Sequence, residues 1–320
     1  MTKDRVLDFL WSHADESISG EELAARLDLS RTAVWKAVDQ LRNEGYLIES
    51  APRRGYRLLS KSDVLSEAGI RKYLNCPELR LRCFAEIGST NTALKELANR
   101  GEAAGLALVA GRQTAGRGRM GRSFFSPEDS GVYLSLLLRP SLPASEATAI
   151  TACAAVAVAE TLEELSGRKA EIKWVNDLLM DGRKLCGILA EAVVRGGKAE
   201  SVILGIGINA ETRREDFPPE LRDTAASLAE FLPAPPDRLA LAAALLTALD
   251  DLARDCPADR GEYLAEYRAA CVTMGKRVFL TDGTEGLAEG LGEDFSLRLR
   301  LPDGSLRQVR SGEASLHRAT

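Results

Sequence analysis

Residues 19–41, SGEELAARLDLSRTAVWKAVDQL, have the pattern of two short helices joined by a tight turn. Ser19 and Glu22 have the spacing of a capping box, which predicts a helix from Gly20 to Leu27. Ser30 is placed to cap a second helix. Apolar residues then recur at positions i, i+3, i+4 and i+7, namely Val34, Ala37, Val38 and Leu41. The stretch therefore predicts a helix-turn-helix whose second helix buries one face.

The flanking residues extend this unit into a winged helix. Lys3 to Trp11 predicts a preceding helix with an amphipathic pattern. Tyr46–Glu49 and Gly55–Leu59 predict two strands, and the turn between them, SAPRR at 50–54, is basic. We therefore predict a winged helix-turn-helix domain over residues 1–60.

Charge on this segment indicates a nucleic-acid surface. The whole chain has a net charge of −5, but residues 30–60 contain six basic residues and only three acidic ones. A recognition helix beside a basic hairpin forms one surface for the major groove and backbone of double-stranded DNA. The predicted DNA contacts are Ser30, Arg31, Thr32, Lys36, Arg53 and Arg54. A merely solvated helix face is the alternative, and Trp35 fits either a DNA contact or packing against the wing.

Length and composition exclude several protein classes. A chain of 320 residues predicts two or three domains, and 45% hydrophobic with 28% charged residues predicts a globular protein. The apolar run Ala152–Ala159 is about half of the ~20 residues that a membrane span needs. The amino terminus lacks a secretory-signal pattern, so we expect a cytoplasmic protein without a membrane partner. The chain has only two histidines and no Cys-x-x-Cys spacing, which argues against a zinc site.

The remaining chain divides into three parts. Residues 61–80 have the composition of a connector. Residues 81–270 alternate strand and helix patterns, which predicts a mixed sheet packed on helices, an α+β domain. Residues 271–320 contain four short strand patterns separated by tight turns, which predicts a small β-barrel of the SH3-like type.

The densest chemical signal is the segment GRQTAGRGRMGRSFFSP, residues 111–127. It is not a P-loop, because Arg117 and Gly118 stand where lysine and then serine or threonine are required. It is not a dinucleotide fingerprint either, because no helix follows it. Glycine lets backbone amides approach an anion, and arginine donates forked hydrogen bonds to phosphate or carboxylate. The segment therefore favours an anion-binding loop, with a flexible surface loop or an RNA-binding segment as alternatives.

Two later segments supply complementary chemistry. Residues 173–177, KWVND, place an amide and a carboxylate at a strand end, and residues 182–187 offer Lys184 just after a turn. Each segment has a simpler interpretation. Asn176 and Asp177 are common turn-forming residues, and Lys184 fits a solvated charge at the edge of a strand. Together with residues 111–127, the Gly/Arg loop, they provide a magnesium ligand and a phosphate-neutralising lysine, which nucleotidyl transfer needs.

Five motifs now define a resemblance. Gly88–Asn91, Gly116–Arg122, Lys173–Asp177, Arg183–Ile188 and Gly205–Asn209 follow the order and spacing of biotin protein ligases. With the winged helix in front, the chain resembles the bifunctional bacterial type, which also represses the biotin operon. The resemblance implies formation of biotinyl-5′-AMP from biotin and ATP, followed by transfer of biotin to a lysine of a biotin carboxyl carrier protein.

The resemblance also implies roles for individual residues. The implied biotin site comprises Ser89, Thr90, Asn91, Gln113, Arg117, Gly118, Arg119, Lys184, Gly187 and Gly207. The implied ATP site comprises Arg119, Arg122, Asn176, Asp177, Lys184 and Asn209. Arg119 and Lys184 would be the catalytic residues, and Asp177 would bind Mg²⁺. A homodimer, with biotinyl-5′-AMP as corepressor, would bind operator DNA.

Two residues depart from the commonest family pattern. Val175 stands where proline is usual, and Phe124 stands where tryptophan usually follows the last arginine of the Gly/Arg loop. Neither change removes a charged group, so packing over the ligand is affected more than the reaction. Two other functions stay open from the sequence, a biotin-sensing regulator without catalysis and a lipoate-type ligase.

Overall fold

A computed structural model gives the fold of residues 2–51, 55–59, 64–140, 142–143, 147–255, 260–310, 312 and 314–316. The first part is the predicted winged helix. Its elements are α1 (Thr2–Ser12), α2 (Gly20–Leu27), α3 (Arg31–Asn43), β1 (Ile48–Ala51) and β2 (Gly55–Leu58). The hydroxyls of Ser19 and Ser30 cap α2 and α3 by accepting the amides of Glu22 and Ala33. Two of the predicted DNA residues, Arg53 and Arg54, lie outside the described residues.

The predicted connector contains a short helix that is packed into the protein. Helix α4 (Glu67–Arg71) is capped by the Ser66 hydroxyl, which accepts the Gly69 amide at 3.2 Å. Ile70 is fully buried, and a Cβ at Gly69 would lie 2.9 Å from Leu239. The described part of this segment is thus held against the larger part of the molecule, while residues 60–63 lie outside the described residues.

A mixed sheet forms the centre of the molecule. Its strands are β3 (Arg80–Ile87), β4 (Leu106–Gln113), β5 (Gly131–Leu138), β6 (Leu142–Pro143), β7 (Glu171–Lys173), β8 (Asp177–Met180), β9 (Arg183–Arg195) and β10 (Lys198–Asn209). The order is β3-β4-β5-β10-β9-β8-β7, and β6 pairs with β10. Only β3 and β4 run parallel among these described pairs. The mixed α+β architecture is confirmed.

Helices cover both faces of this sheet. They are α5 (Thr90–Asn99), α6 (Ala147–Ser166), α7 (Arg238–Asp255) and α8 (Arg260–Ala270). On β4, Leu106 and Leu108 join a cluster with α5, whereas Ala107 and Val109 join the main core with α6 and α7. This alternation follows from the two-residue period of a strand, and it places α5 on one face and α6 and α7 on the other. No described helix is long and apolar enough to span a membrane.

The carboxyl-terminal strands differ in part from expectation. The elements are β11 (Arg277–Leu280), β12 (Glu285–Leu291), β13 (Leu297–Arg300), β14 (Leu306–Val309) and β15 (Ala314–Ser315). The four predicted strands are present, and β15 is a fifth strand that was not predicted. Their order is β14-β13-β12-β11-β15, an open sheet in the part of the chain that is described. Closure into an SH3-like barrel is therefore not confirmed.

Candidate active site

Every residue implied in biotin binding lines one cavity beside the Gly/Arg loop. These residues are Ser89, Thr90, Asn91, Gln113, Arg117, Gly118, Arg119, Lys184, Gly187 and Gly207, and Asn176 joins them. An adjoining cavity shares Arg119, Asn176 and Lys184 and adds the other three implied ATP residues, Arg122, Asp177 and Asn209. The structure thus brings together residues from motifs more than 100 positions apart.

The register of the sheet explains this convergence. Gly187 on β9 pairs with Asp177 on β8 and with Gly207 on β10, and Gly207 pairs with Tyr133 on β5. Four neighbouring strands therefore place a carboxylate and two glycines in one row across the sheet. Helix α5 begins beside this row, and the hydroxyl of its N-cap residue Ser89 accepts a hydrogen bond from the Thr92 amide.

A buried polar cluster forms the floor of the first cavity. Gln113 Oε1 accepts hydrogen bonds from the Thr90 amide at 2.9 Å and the Thr90 hydroxyl at 3.1 Å. Ser135 Oγ lies 2.7 Å from Thr90 Oγ1 and 2.6 Å from Asn91 Oδ1. Ser135 was not predicted as a site residue, although a serine inside the apolar run of residues 131–138 was the available signal. A fixed set of donors and acceptors suits the ureido head of biotin.

The cavity wall depends on glycines that admit close neighbours. A Cβ at Gly207 would lie 2.6 Å from the Phe124 ring, and one at Gly187 would lie 3.1 Å from it. At Gly205 a Cβ would lie 2.1 Å from Asn91 Oδ1. Phe124, one of the two departures from the family pattern, thus packs across the glycines of β9 and β10. Gly205 was not among the predicted site residues, although it lines the first cavity.

Charged groups meet where the two cavities join. Lys184 Nζ lies 2.8 Å from Asp177 Oδ1 and 5.8 Å from the centre of the Phe124 ring. Arg119 Nη1 donates to Asn176 Oδ1 at 3.2 Å. Two cations thus converge on one carboxylate and one amide, an arrangement suited to an incoming polyphosphate.

Asp177 and Asn209 differ in their availability to a ligand. The Asp177 side chain is 17% exposed and faces the cavity, so it fits a Mg²⁺ that arrives with nucleotide phosphates. Asn209 lines the same cavity, but its amide nitrogen donates to the Ala226 carbonyl at 3.0 Å. Within the described ranges, no group of three or more His, Cys, Asp or Glu side chains is placed to hold a metal ion by itself.

Cys186 follows Lys184 by two positions on β9. It is fully buried, and burial raises the pKa of its thiol well above the ordinary value. A thiol that stays protonated is a poor nucleophile. The site can therefore act by position and charge, without a covalent cysteine intermediate.

The described part of the predicted DNA face lies on α3 and its N-cap residue, within the winged helix. Arg31, Thr32 and Lys36 are exposed there, and the Ser30 hydroxyl accepts the Ala33 amide at 3.1 Å. Trp35 is 56% exposed, which excludes burial against the described part of the wing. Two other basic side chains of the segment contact their own domain. Arg42 Nε donates to the Ile48 carbonyl, and Arg57 lies within 4.0 Å of Asp15 and Glu49.

Comparisons with known proteins find relatives for both parts of the chain. Residues 83–209 match the Biotin/lipoate A/B protein ligase family, and residues 3–57 match a helix-turn-helix domain. The chain is 42% identical to the bifunctional ligase/repressor BirA of Bacillus subtilis (strain 168), over 96% of each chain. It is 36% identical to the Escherichia coli (strain K12) protein of the same name, over 61% of this chain and 60% of that protein. Biotin protein ligase from Aquifex aeolicus, solved with biotin and ATP, superposes with a TM-score of 0.64 at 30% identity, covering 75% of this chain and 99% of that one.

Proposed function

Because this chain belongs to the family of bifunctional biotin ligase/repressors, we propose that its two adjoining cavities join biotin to ATP and pass the biotinyl group to a carrier protein. The observation that carries the proposal is that all the implied ligand residues line these cavities. The protein is an ATP-dependent biotin protein ligase with a DNA-binding helix-turn-helix.

In the first step, the biotin carboxylate attacks the α-phosphorus of ATP, and pyrophosphate leaves with the electron pair of the broken P–O bond. Ser89, Thr90 and Gln113 would hold the ureido head, with Asn91 completing the polar floor. Arg117, Arg119 and Lys184 would bind the carboxylate and the α-phosphate, with backbone near Gly118. Arg119 and Lys184 would be catalytic because their positive charges offset the repulsion between the biotin carboxylate and the α-phosphate.

ATP would occupy the second cavity with its magnesium. Asp177 would bind the Mg²⁺ that accompanies the phosphates, while Arg122 and Asn176 contact the nucleotide. The Asn209 amide already bonds the Ala226 carbonyl, so we assign its contribution to the shape of the cavity wall.

In the second step, a neutral lysine amine of the carrier protein attacks the carbonyl carbon of biotinyl-5′-AMP. An amide bond forms, the C–O bond to AMP breaks with its electron pair leaving on AMP, and the amine releases one proton to solvent. The enzyme's part is to hold the mixed anhydride away from water until the amine arrives.

We further propose that a cytoplasmic homodimer represses transcription when biotinyl-5′-AMP is bound. In this proposal the chain has four parts: a DNA-binding domain (residues 1–60), a connector (61–80), a catalytic domain (81–270) and a carboxyl-terminal domain (271–320). The last of these is proposed to be an SH3-like barrel. Two winged helices related by a two-fold axis would match a palindromic operator. The exposed side chains of α3 support this role.

The catalytic proposal is tested by incubating the protein with ATP, Mg²⁺ and labelled biotin. We expect labelled biotinyl-5′-AMP together with one pyrophosphate for each adenylate, and labelled carrier once a biotin carboxyl carrier protein is added. Biotin binding without pyrophosphate release would identify a sensor without catalysis. Adenylation of lipoate in preference to biotin would identify a lipoate-type ligase.

DNA binding is tested by replacing Arg31 and Lys36 together with alanine. Each lost phosphate contact should reduce the slope of log affinity against log salt by about 0.9 in each protomer, because fewer counterions are released. Operator affinity measured at several salt concentrations gives the slope, and biotin transfer should be unchanged.

The control is the double change Arg168→Ala and Lys169→Ala, which removes the same side-chain types from an exposed turn before β7. It should leave both the affinity and the slope as they are. An unaltered slope in the α3 variant would contradict the assignment of α3 as the DNA surface.

A further inference from the structure

Glu191 on β9 is a carboxylate that borders the biotin cavity without lining it. Its side chain is only 14% exposed. It lies between helix α5 and the Gly/Arg loop, and the contacts of its two oxygens reach both elements. No role follows for it from the motifs that define the family resemblance.

One oxygen of Glu191 is shared by two cations. Arg117 Nη2 lies 3.4 Å from Oε1, and Lys95 Nζ lies 3.5 Å from the same oxygen. The two cations differ in position, because Arg117 belongs to the loop and lines the cavity, whereas Lys95 projects from α5 and does not line it. Glu191 therefore ties the loop to the sheet through Arg117.

The second oxygen of Glu191 orients a side chain in the cavity floor. Asn91 Nδ2 donates to Glu191 Oε2 at 3.1 Å and to the Leu189 carbonyl at 3.3 Å. The opposite end of the same amide, Oδ1, lies 2.6 Å from Ser135 Oγ. Both ends of the Asn91 amide are thus fixed, and Glu191 is the charged member of that network.

We propose that Glu191 is a positioning residue for the biotin site, which holds Arg117 across the cavity and fixes the orientation of Asn91. It touches no ligand and acts only through these two residues. This inference rests on the proposed function for its kinetic consequence. The anchoring of the loop is a property of the protein without ligand and is measured separately.

The test compares Glu191→Gln with Lys95→Met. Glutamine keeps an acceptor for Asn91 but removes the charge that pairs with Arg117, so the loop loses this one of its contacts with the sheet. Lys95→Met removes the other ion pair of the same carboxylate and leaves the Arg117 contact in place. Both variants therefore lose one charge at this site, but only one of them frees the loop.

We expect Glu191→Gln to raise the KM for biotin and the escape rate of biotinyl-5′-AMP about three- to tenfold, as a partly exposed charge contact is lost. The rate of adenylate formation at saturating biotin should change less than the KM. Trypsin should cleave after Arg119 and Arg122 about three- to tenfold faster in the ligand-free variant, because the loop opens more often. Lys95→Met should leave all of these values as they are.

A second variant keeps the inference testable if Glu191→Gln folds poorly. Arg117→Gln breaks the same ion pair from the exposed loop, and it should accelerate cleavage at Arg119 and Arg122 to the same extent. Adding Glu191→Gln to Arg117→Gln should cause no further acceleration, because the pair is already broken.

Equal effects of Glu191→Gln and Lys95→Met, or unaltered cleavage in both Glu191→Gln and Arg117→Gln, would overturn the positioning role. Failure of the proposed function appears differently, as the absence of adenylate in the unmodified protein. The proteolysis comparison is informative in either case.

Discussion

Replacing Lys184 with alanine is expected to slow formation of biotinyl-5′-AMP about 100- to 1,000-fold, with the fold intact. The ammonium group lies where the two cavities join, 2.8 Å from Asp177. Negative charge accumulates there when the biotin carboxylate and the α-phosphate meet, and loss of one such preorganised charge costs about 2.7 to 4 kcal/mol in the transition state. Single-turnover adenylate formation at saturating ATP and biotin measures the effect.

The matched control for this variant is Lys169→Ala, which removes an exposed lysine in the turn before β7. It should react at the unmodified rate. A thermal melt of both variants separates loss of catalysis from loss of structure. Adenylate formation by Lys184→Ala within a few fold of the unmodified protein would remove Lys184 from the catalytic role.

The elements that could be predicted from the sequence are those with local determinants. Ser19 and Ser30 cap α2 and α3 within three residues of themselves, and an apolar stripe decides which face of α3 is buried. Strand β8 was missed, because its four residues are defined by pairing with β7 and β9 and not by their own pattern. The same holds for β15, which is two residues long and pairs with β11.

The site shows the same division between local and long-range signals. The Gly/Arg loop and Lys184 were found because each carries its chemistry in a few consecutive residues. Ser135 and Glu191 were missed because they act across hydrogen bonds to residues 44 and 100 positions away. A single polar side chain in a strand gives no indication from sequence of which loop or helix its partner occupies.

Replacing Arg119 with glycine is expected to release reactive biotinyl-5′-AMP from the enzyme. The Arg119 side chain lines both cavities and donates to Asn176 Oδ1 at 3.2 Å, so it links the loop to the turn before β8. Its loss removes a charged donor to the adenylate, worth about 1.5 to 3 kcal/mol, which corresponds to roughly 10- to 150-fold faster escape. The glycine also gives the loop greater backbone freedom, which acts in the same direction.

Escape is measured by the labelling of lysines on a bystander protein that the unmodified enzyme does not biotinylate. Once in solution, the mixed anhydride reacts with any accessible amine, so labelling reports the adenylate that leaves before transfer. Arg112→Gly is the matched control, because Arg112 lies on β4 only seven positions away, pairs with Glu86 at 3.0 Å and lines neither cavity. Bystander labelling should rise in Arg119→Gly and stay at the unmodified level in Arg112→Gly. If both variants label the bystander equally, the adenylate escapes because this part of the chain is loosened in general. The proposed specific contact between Arg119 and the adenylate would then be wrong.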